Sequence, residues 1–141
     1  MTITSIDKWH KRARPSPTQK DLNVQLGCHF EEIAEMVEMV SFHTPGFDPM
    51  GGTETIVHHA LDTVARMLKS GEMNAHVINR KEFLDSLADQ IVTAAGVGHC
   101  AGMDVPGAVE VVDHSNWSKF VDGEPVFDNN GKITKGPDYF K

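Results

Sequence analysis

A long helical pattern in residues 19–42 restricts the fold of this chain more than any other feature. Five of its leucine, isoleucine and valine side chains recur every three to seven residues, at Leu22, Leu26, Ile33, Val37 and Val40. At about 100° per residue, these side chains form one apolar face of a helix. Thr18 and Asp21 have the spacing of a capping box at its start. Such a face must be covered, and the rest of the sequence supplies mainly further helices.

Three more long helical patterns follow, and one short pattern precedes. The short one is IDKWHKRA, which ends at the prolines of residues 14–17. The long ones run from about 53 to 69, from about 80 to 101 after the cap Asn79, and from the cap Asp104 to about Phe120. We therefore predict an all-α protein, an antiparallel four-helix bundle formed by one domain of residues 1–141. Residues 1–17 would form a short N-terminal helix or arm.

Two segments do not follow the helical pattern. HTPGFDPMGG, residues 43–52, is rich in turn-forming residues and predicts a loop. The tail, residues 121–141, contains Asn130-Gly131 and predicts an ordered loop or a small hairpin. Because the tail has few large apolar residues, we expect it to be mobile on its own and removable after Phe120 without unfolding the bundle.

Charge and composition exclude several classes of function. The net charge of −7 argues against a protein that binds nucleic acid polymers, which needs a basic face. No apolar run is long enough to cross a bilayer, and the first 17 residues lack the apolar core of a secretory signal. The two cysteines, Cys28 and Cys100, are expected to be free thiols, and we predict a cytoplasmic protein.

Acidic residues cluster on the first long helix. Four glutamates occur within eight residues, namely Glu31, Glu32, Glu35 and Glu38. No lysine or arginine occurs between Lys20 and Arg66, so no neighbour on the helix relieves their repulsion. The cluster is either a solvated acidic face or a site for a cation.

A second acidic pair lies on the third long helix. Asp85 and Asp89 are four residues apart and share one face, which continues with the small residues Thr93 and Gly96. The opposite side is expected to form the core, through Phe83, Leu84, Leu87, Ile91 and Ala94. Val92 flanks the aspartates and suggests that they are partly buried. Carboxylate ligands suit a hard divalent cation, so a metal hypothesis names Mg²⁺, with Mn²⁺ possible.

These motifs resemble those of the all-α nucleoside triphosphate pyrophosphohydrolases, which include MazG-type enzymes, dimeric dUTPases and phosphoribosyl-ATP pyrophosphohydrolase. The resemblance rests on EEIAE at 31–35, DSLAD at 85–89, SNWSKF at 115–120 and DNNGKITKGPDYF at 128–140. It covers roughly residues 19–140. It implies hydrolysis of a nucleoside triphosphate between its α and β phosphates, a nucleotide-pool housecleaning role, and a homodimer or homotetramer.

The resemblance also implies site residues. Glu32, Glu35 and Asp89 would bind the metal, with Glu31 beside them. Many members of the family have an acid at the position of Ser86; this chain has Asp85 one residue earlier, as an alternative ligand.

Catalytic and substrate-binding roles follow from the same comparison. Either Glu35 or Glu38 would act as general base, and Glu38 is equally well explained as a solvated residue. Positive charge for the phosphates would come from Lys119, Lys132 and Lys135, whose alternative is solvated surface lysines. Asn116 would contact the base or sugar, or make a polar contact at the end of its helix. We expect the tail to fold over the nucleotide site.

Two other classes of protein compete with this hypothesis. A di-iron bundle needs Glu-x-x-His on two helices, and this chain has only the reversed order at His29 and Glu32. A non-enzymatic helical interaction module would leave the two acidic helices unexplained. The second long helix has apolar residues around much of its circumference, which independently favours an oligomer; these are Ile56, Leu61, Val64, Ala65 and Leu68.

Overall fold

Every regular element in the described part of the chain is an α-helix. The computed structural model describes residues 2–42, 46 and 52–136, without the side chain of Thr53. The helices are α1 (Thr2–Ala13), α2 (Gln19–Glu38), α3 (Thr53–Ser70), α4 (Arg80–Cys100) and α5 (Val105–Trp117). The all-α prediction is confirmed. The described residues form five helices in two compact units, so a four-helix bundle is not confirmed.

The two units interleave along the sequence. The α2/α3 unit comprises residues 16–75 and 129–132. The α1/α4/α5 unit comprises, among the described residues, 2–15, 76–128 and 133–136. The predicted loop at 43–52 lies outside the described residues except for Gly46 and Gly52, and the tail beyond residue 136 lies outside them as well.

The α2/α3 unit begins with the predicted capping box. The Thr18 hydroxyl accepts from the Asp21 backbone N–H at 3.3 Å, and the Asp21 carboxylate accepts from the Thr18 backbone N–H at 2.8 Å. The helix ends at Glu38, four residues earlier than predicted, because the Met39 and Val40 N–H groups close tighter three-residue bonds to Met36 and Val37. Val40 lies beyond the helix and is largely exposed.

Helices α2 and α3 approach each other most closely at a glycine. A Cβ atom at Gly27 would lie 2.9 Å from the Ala65 carbonyl oxygen and 2.8 Å from Lys69 Cγ. The side chains buried along this contact are aliphatic: Val24, Ala34, Val37, Ala65 and Leu68. Only glycine at position 27 allows the backbones to come this close, and this contact sets which α3 residues face α2.

The core of the α1/α4/α5 unit is aromatic. The indole N–H of Trp9 donates to the Asn116 carbonyl at 2.8 Å, and that of Trp117 donates to Ser5 Oγ at 3.0 Å, so α1 and α5 are joined in both directions. Trp117 and Phe120 pack against buried Trp9. Helix α5 ends at Trp117, three residues before the predicted end, and residues 119 and 120 close i→i−3 bonds instead.

The described part of the tail is an ordered loop. It contains two isolated antiparallel bridges, Val121–Glu124 and Phe127–Ile133, rather than hairpin strands. Ile133 is 9% exposed and belongs to the same core cluster as Trp9 and Ala13. The tail thus supplies one residue to the core of this unit, which the sequence did not predict. That the chain stays folded after truncation at Phe120 remains a prediction.

Helix α4 differs most from its predicted environment. Asn79 caps it as predicted, accepting from the Glu82 N–H at 3.2 Å. Leu84 is 69% exposed and Ile91 58% exposed, so the predicted core side of this helix is open. Asp85 and Asp89 are exposed, not partly buried. Close packing occurs at its end, where buried Gly98 lies against the Val105 side chain.

None of the helices described combines the length and the apolar character needed to cross a membrane.

Candidate metal and nucleotide site

The four glutamates of α2 occupy different environments. Glu31 is half-buried, with a side chain 26% exposed, whereas Glu32, Glu35 and Glu38 are exposed. The difference follows from helical spacing: Glu31 comes four residues after Gly27, where α3 is closest. One glutamate therefore belongs to the α2–α3 contact, and the others face outward.

Two lysines compensate the charge of Glu31. Lys69 Nζ of α3 lies 2.6 Å from Glu31 Oε1, and Lys132 Nζ of the tail lies 3.4 Å from Glu31 Oε2. Partial burial alone would raise the pKa of Glu31, but the hydrogen bond from Lys69 and the charge of Lys132 hold this pKa below its ordinary value of 4.5. Within this unit, Glu31 is thus an ion-pair partner, a role that the sequence did not predict.

Lys132 shows the reciprocal effect. Burial alone would lower the pKa of Lys132, but the carboxylate of Glu31 raises it above its ordinary value of 10.5. Lys132 remains a cation under all physiological conditions. Lys132, a tail residue predicted to bind substrate, therefore contacts the acidic helix α2 through Glu31.

His58 of α3 contacts the end of the acidic cluster. Its Nδ1 lies 3.1 Å from the Ala34 carbonyl oxygen, and its Nε2 lies 3.3 Å from Glu38 Oε1. Both neighbours are acceptors, so only a protonated imidazole donates to both. Glu38 is therefore held by a side chain, which the sequence reading missed.

Glu32 and Glu35 have no hydrogen bond or ion pair with any residue in the described part of the chain. They are three residues apart on α2, so their side chains are neighbours on the helix surface. Two adjacent, solvated carboxylates provide oxygen ligands of the kind that a hard divalent cation takes. These two fit the predicted metal best.

Asp85 and Asp89 lie on α4, in the other compact unit. Both are exposed, and Thr93 continues their face, its hydroxyl donating to the Asp89 carbonyl at 2.8 Å. The two predicted ligand pairs, one on α2 and one on α4, thus belong to different compact units. Among residues 2–42, 46 and 52–136, no group of three or more His, Cys, Asp or Glu side chains is arranged to hold a metal ion.

The remaining predicted substrate residues also lie outside the α2/α3 unit. Lys119 Nζ donates to Asn116 Oδ1 at 2.6 Å, next to the end of α5. This contact matches the alternative for Asn116, a polar interaction at the end of its helix. Lys135 is exposed, between Thr134, whose N–H donates to the Val126 carbonyl, and Gly136.

The residues that the sequence reading missed, Lys69 and His58, share one signal. Each lies on the α3 face that also carries Leu61, Ala65 and Leu68, at spacings of three or four residues. A polar residue on an apolar face has to find a polar partner across the contact. Both of these partners of the acidic helix lie outside residues 20–42, on α3, and the sequence of α2 alone therefore does not reveal them.

No protein-family model, curated protein or solved structure matches this chain.

Proposed function

We propose that this chain is a Mg²⁺-dependent nucleoside triphosphate pyrophosphohydrolase, with Mn²⁺ as a possible substitute. It would cleave a (deoxy)nucleoside triphosphate between the α and β phosphates in a cytoplasmic, nucleotide-pool housecleaning role. The observation that carries the proposal is the pair Glu32 and Glu35 on α2, which are exposed and make no hydrogen bond or ion pair within the described residues. Tail residue Lys132 lies beside them, because it pairs with Glu31. The motif resemblance of α2, α4 and the tail supplies the reaction.

The acidic pair is suited to a cation rather than to the substrate itself. A triphosphate carries about four negative charges and would be repelled by free carboxylates. Glu32 and Glu35 would hold the cation, with Asp89, or Asp85, contributing from α4. Bound Mg²⁺ supplies charge neutralisation and orientation of the phosphate oxygens.

The contacts on α2 favour Glu35 over Glu38 as the proposed general base. Glu38 Oε1 lies 3.3 Å from His58 Nε2, whereas the Glu35 carboxylate makes no hydrogen bond or ion pair with any described residue and can accept one from water. A base must reach the proton that it removes. We therefore assign proton acceptance from the attacking water to Glu35 and a positioning role to Glu38, which ties α3 to α2.

Positive side chains would stabilise the departing pyrophosphate. Lys132 is already directed to the acidic helix by Glu31, and Lys135 follows three residues later in the tail. Donors aimed at developing phosphate charge lower the barrier to transfer. Lys119 and Asn116 would contribute as a pair, since they are hydrogen-bonded to each other.

The test is pyrophosphate release from a panel of canonical and modified nucleotides with Mg²⁺ or Mn²⁺. We expect at least one nucleotide to yield monophosphate and pyrophosphate in equal amounts. Glu35→Gln and Asp89→Asn should lower kcat on the order of 100-fold while the far-ultraviolet circular dichroism is unchanged. If no nucleotide releases pyrophosphate, the proposal fails.

Asp62→Asn is the matched control. Asp62 is an exposed carboxylate of α3 with no role in the proposed site, and the substitution removes the same charge. It should retain wild-type kcat. Equal losses in Asp62→Asn and Glu35→Gln would show a general charge effect and contradict the ligand assignment.

We also propose that the protein acts as a homodimer or homotetramer. Helix α4 has 21 residues, of which only Gly98 is buried in the chain, and Leu84 and Ile91 share its open apolar face. On α3, Ile56 is 59% exposed. Exposed apolar residues in such a row are typical of interfaces.

A further inference from the structure

The α2/α3 unit contains a cavity that the proposed hydrolase site does not use. It has a volume of about 260 Å³ and lies where α2 begins and α3 ends. Seven residues line it: Lys20, Asn23, Leu68, Lys69, Ser70, Gly71 and Asn74. All seven belong to one compact unit, and none is a carboxylate.

The charge around this cavity is positive. Lys20 is exposed and has no hydrogen bond or ion pair with any residue that the structure describes. Lys69 donates to Glu31, the same carboxylate that pairs with Lys132. The Lys20 side chain is a third cation in this region, because a Cβ atom at Gly131, next to Lys132, would lie 3.7 Å from Lys20 Cε. Besides Glu31, the structure shows one more acid bonded to the described wall residues: Glu72 accepts from Ser70 Oγ at 2.9 Å, and Arg66 pairs with Glu72 at 3.1 Å.

The two amides of the wall have a fixed orientation. The Ala75 backbone N–H donates to Asn23 Oδ1 at 3.0 Å, so this atom must be the oxygen of the Asn23 side chain. Asn23 Nδ2 consequently donates to Asn74 Oδ1 at 2.8 Å. This leaves Asn74 Nδ2 as a donor with no partner in the described chain. The backbone of Ala75 thereby makes Asn74 present N–H groups rather than an acceptor.

The polar groups that remain available in the cavity wall are hydrogen-bond donors and cations, so they indicate an anionic ligand that accepts hydrogen bonds. Lys20 Nζ, Asn74 Nδ2 and the remaining N–H groups of Lys69 can all donate to one bound group, and Leu68 supplies an apolar floor. Ligand pockets for drug-sized molecules begin at about 300 Å³, so this cavity suits a small anion rather than a whole nucleotide.

We propose that the cavity binds a small phosphate-type oxyanion, with Lys20, Lys69 and Asn74 as its donors. Charge-assisted hydrogen bonds from lysine and amide groups are the usual contacts of such an anion. The site does not depend on Glu32, Glu35 or a metal, and therefore stands apart from the proposed hydrolysis.

The test uses inorganic phosphate and inorganic pyrophosphate in metal-free buffer with chelator and constant ionic strength. Binding is measured by calorimetry and by ¹⁵N chemical shifts of the Asn74 side-chain amide and Gly71. We expect saturable binding with a dissociation constant below about 1 mM for at least one of the two anions. The comparison between them identifies whether a single phosphate or a pyrophosphate is the better ligand.

Lys20→Gln and Lys8→Gln form the matched pair of variants. Both remove one charge from an exposed lysine, but Lys8 lies on α1, away from the α2/α3 unit. We expect Lys20→Gln to weaken binding about tenfold, the scale of one charge-assisted hydrogen bond, and Lys8→Gln to leave it unchanged. Equal affinities of the two variants, or no saturable binding by the wild type up to about 10 mM, would overturn the proposal. Because no nucleotide or metal is present, neither result bears on the hydrolase activity.

Discussion

At the scale of single residues, Glu31 forms structural ion pairs within the glutamate cluster that the sequence suggested as a metal site. The Glu31 side chain is 26% exposed and forms ion pairs with Lys69 of α3 and Lys132 of the tail, whereas adjacent Glu32 is exposed to solvent. The first two glutamates of EEIAE therefore have different environments. Mutations at the two positions should separate stability from activity.

The Glu31–Lys69 pair predicts a pH-dependent contribution to stability. Because the folded-state pKa of Glu31 lies below its ordinary value of 4.5, its stabilising effect is present above that pH. The effect is lost as the pH falls through 4.5 toward the folded-state pKa. A double-mutant cycle with Glu31→Gln and Lys69→Met should give a coupling on the order of 1 kcal/mol near pH 7.

Chemical denaturation of the four proteins from pH 7 down to about pH 3 measures that coupling. We expect it to decline steadily below about pH 4.5, as the carboxylate becomes protonated. A coupling that stays constant over this range would show that the pair stabilises by packing of the side chains rather than by charge.

At the scale of helices, the start signals were predictable and the ends less so. Thr18 with Asp21, Asn79 and Asp104 all cap helices as their side chains predict, because an N-cap is a local hydrogen bond. The ends of α2 and α5 fell three or four residues early, since tightened last turns compete with helix continuation there. Which apolar faces meet depends on distant residues, so the open face of α4 and the contacts of Lys69 were not predictable from the spacing.

A pair of glycine substitutions tests the α2–α3 contact. In an unrestrained helix, glycine to alanine stabilises by up to about 1 kcal/mol. Gly96→Ala should follow this rule, because nothing lies within 4 Å of the added Cβ. Gly27→Ala should destabilise instead, since its Cβ would lie 2.9 Å from the Ala65 carbonyl oxygen. Thermal denaturation of both variants measures the signs, and stabilisation by Gly27→Ala would contradict the close approach described.

If the exposed apolar face of α4 forms the interface of the proposed oligomer, charged substitutions on that face should dissociate it. Leu84→Glu combined with Ile91→Glu should shift the protein toward monomers in analytical ultracentrifugation, because two charges would be buried at the interface. Val97→Glu is the control, because Val97 is 64% exposed but points to a different side of the helix from Leu84 and Ile91. A wild-type protein that is monomeric at tens of micromolar would rule out the proposed oligomer.

At the scale of the whole molecule, the tail contributes to both units. Ile133 lies in the core of the α1/α4/α5 unit, and Lys132 pairs with Glu31 in the α2/α3 unit. The sequence indicated a role for the tail in the proposed site through its lysines, but not a core role, because one isoleucine among polar residues carries no periodic signal. Truncation after Phe120 would remove both contributions at once.

Two point substitutions separate these contributions. Ile133→Ala should lower the free energy of unfolding by about 2–4 kcal/mol, the cost of a cavity next to Trp9. Lys132→Gln should leave stability within about 1 kcal/mol and lower kcat/KM for the nucleotide that the panel identifies. Denaturant titration and steady-state kinetics measure the two effects. Stable protein after Ile133→Ala would contradict the core assignment, and unchanged kcat/KM after Lys132→Gln would remove this lysine from the site.

The α1–α5 contact has a consequence for spectroscopy. Trp9 and Trp117 are the only tryptophans of the chain, and both lie in the α1/α4/α5 unit. Intrinsic indole emission therefore reports the loss of that unit alone, while the acidic helix α2 and its partner α3 unfold without a fluorescent signal of their own. Circular dichroism at 222 nm detects the helices of both units. The separation between the two melting curves of a single sample then measures how strongly the units are coupled.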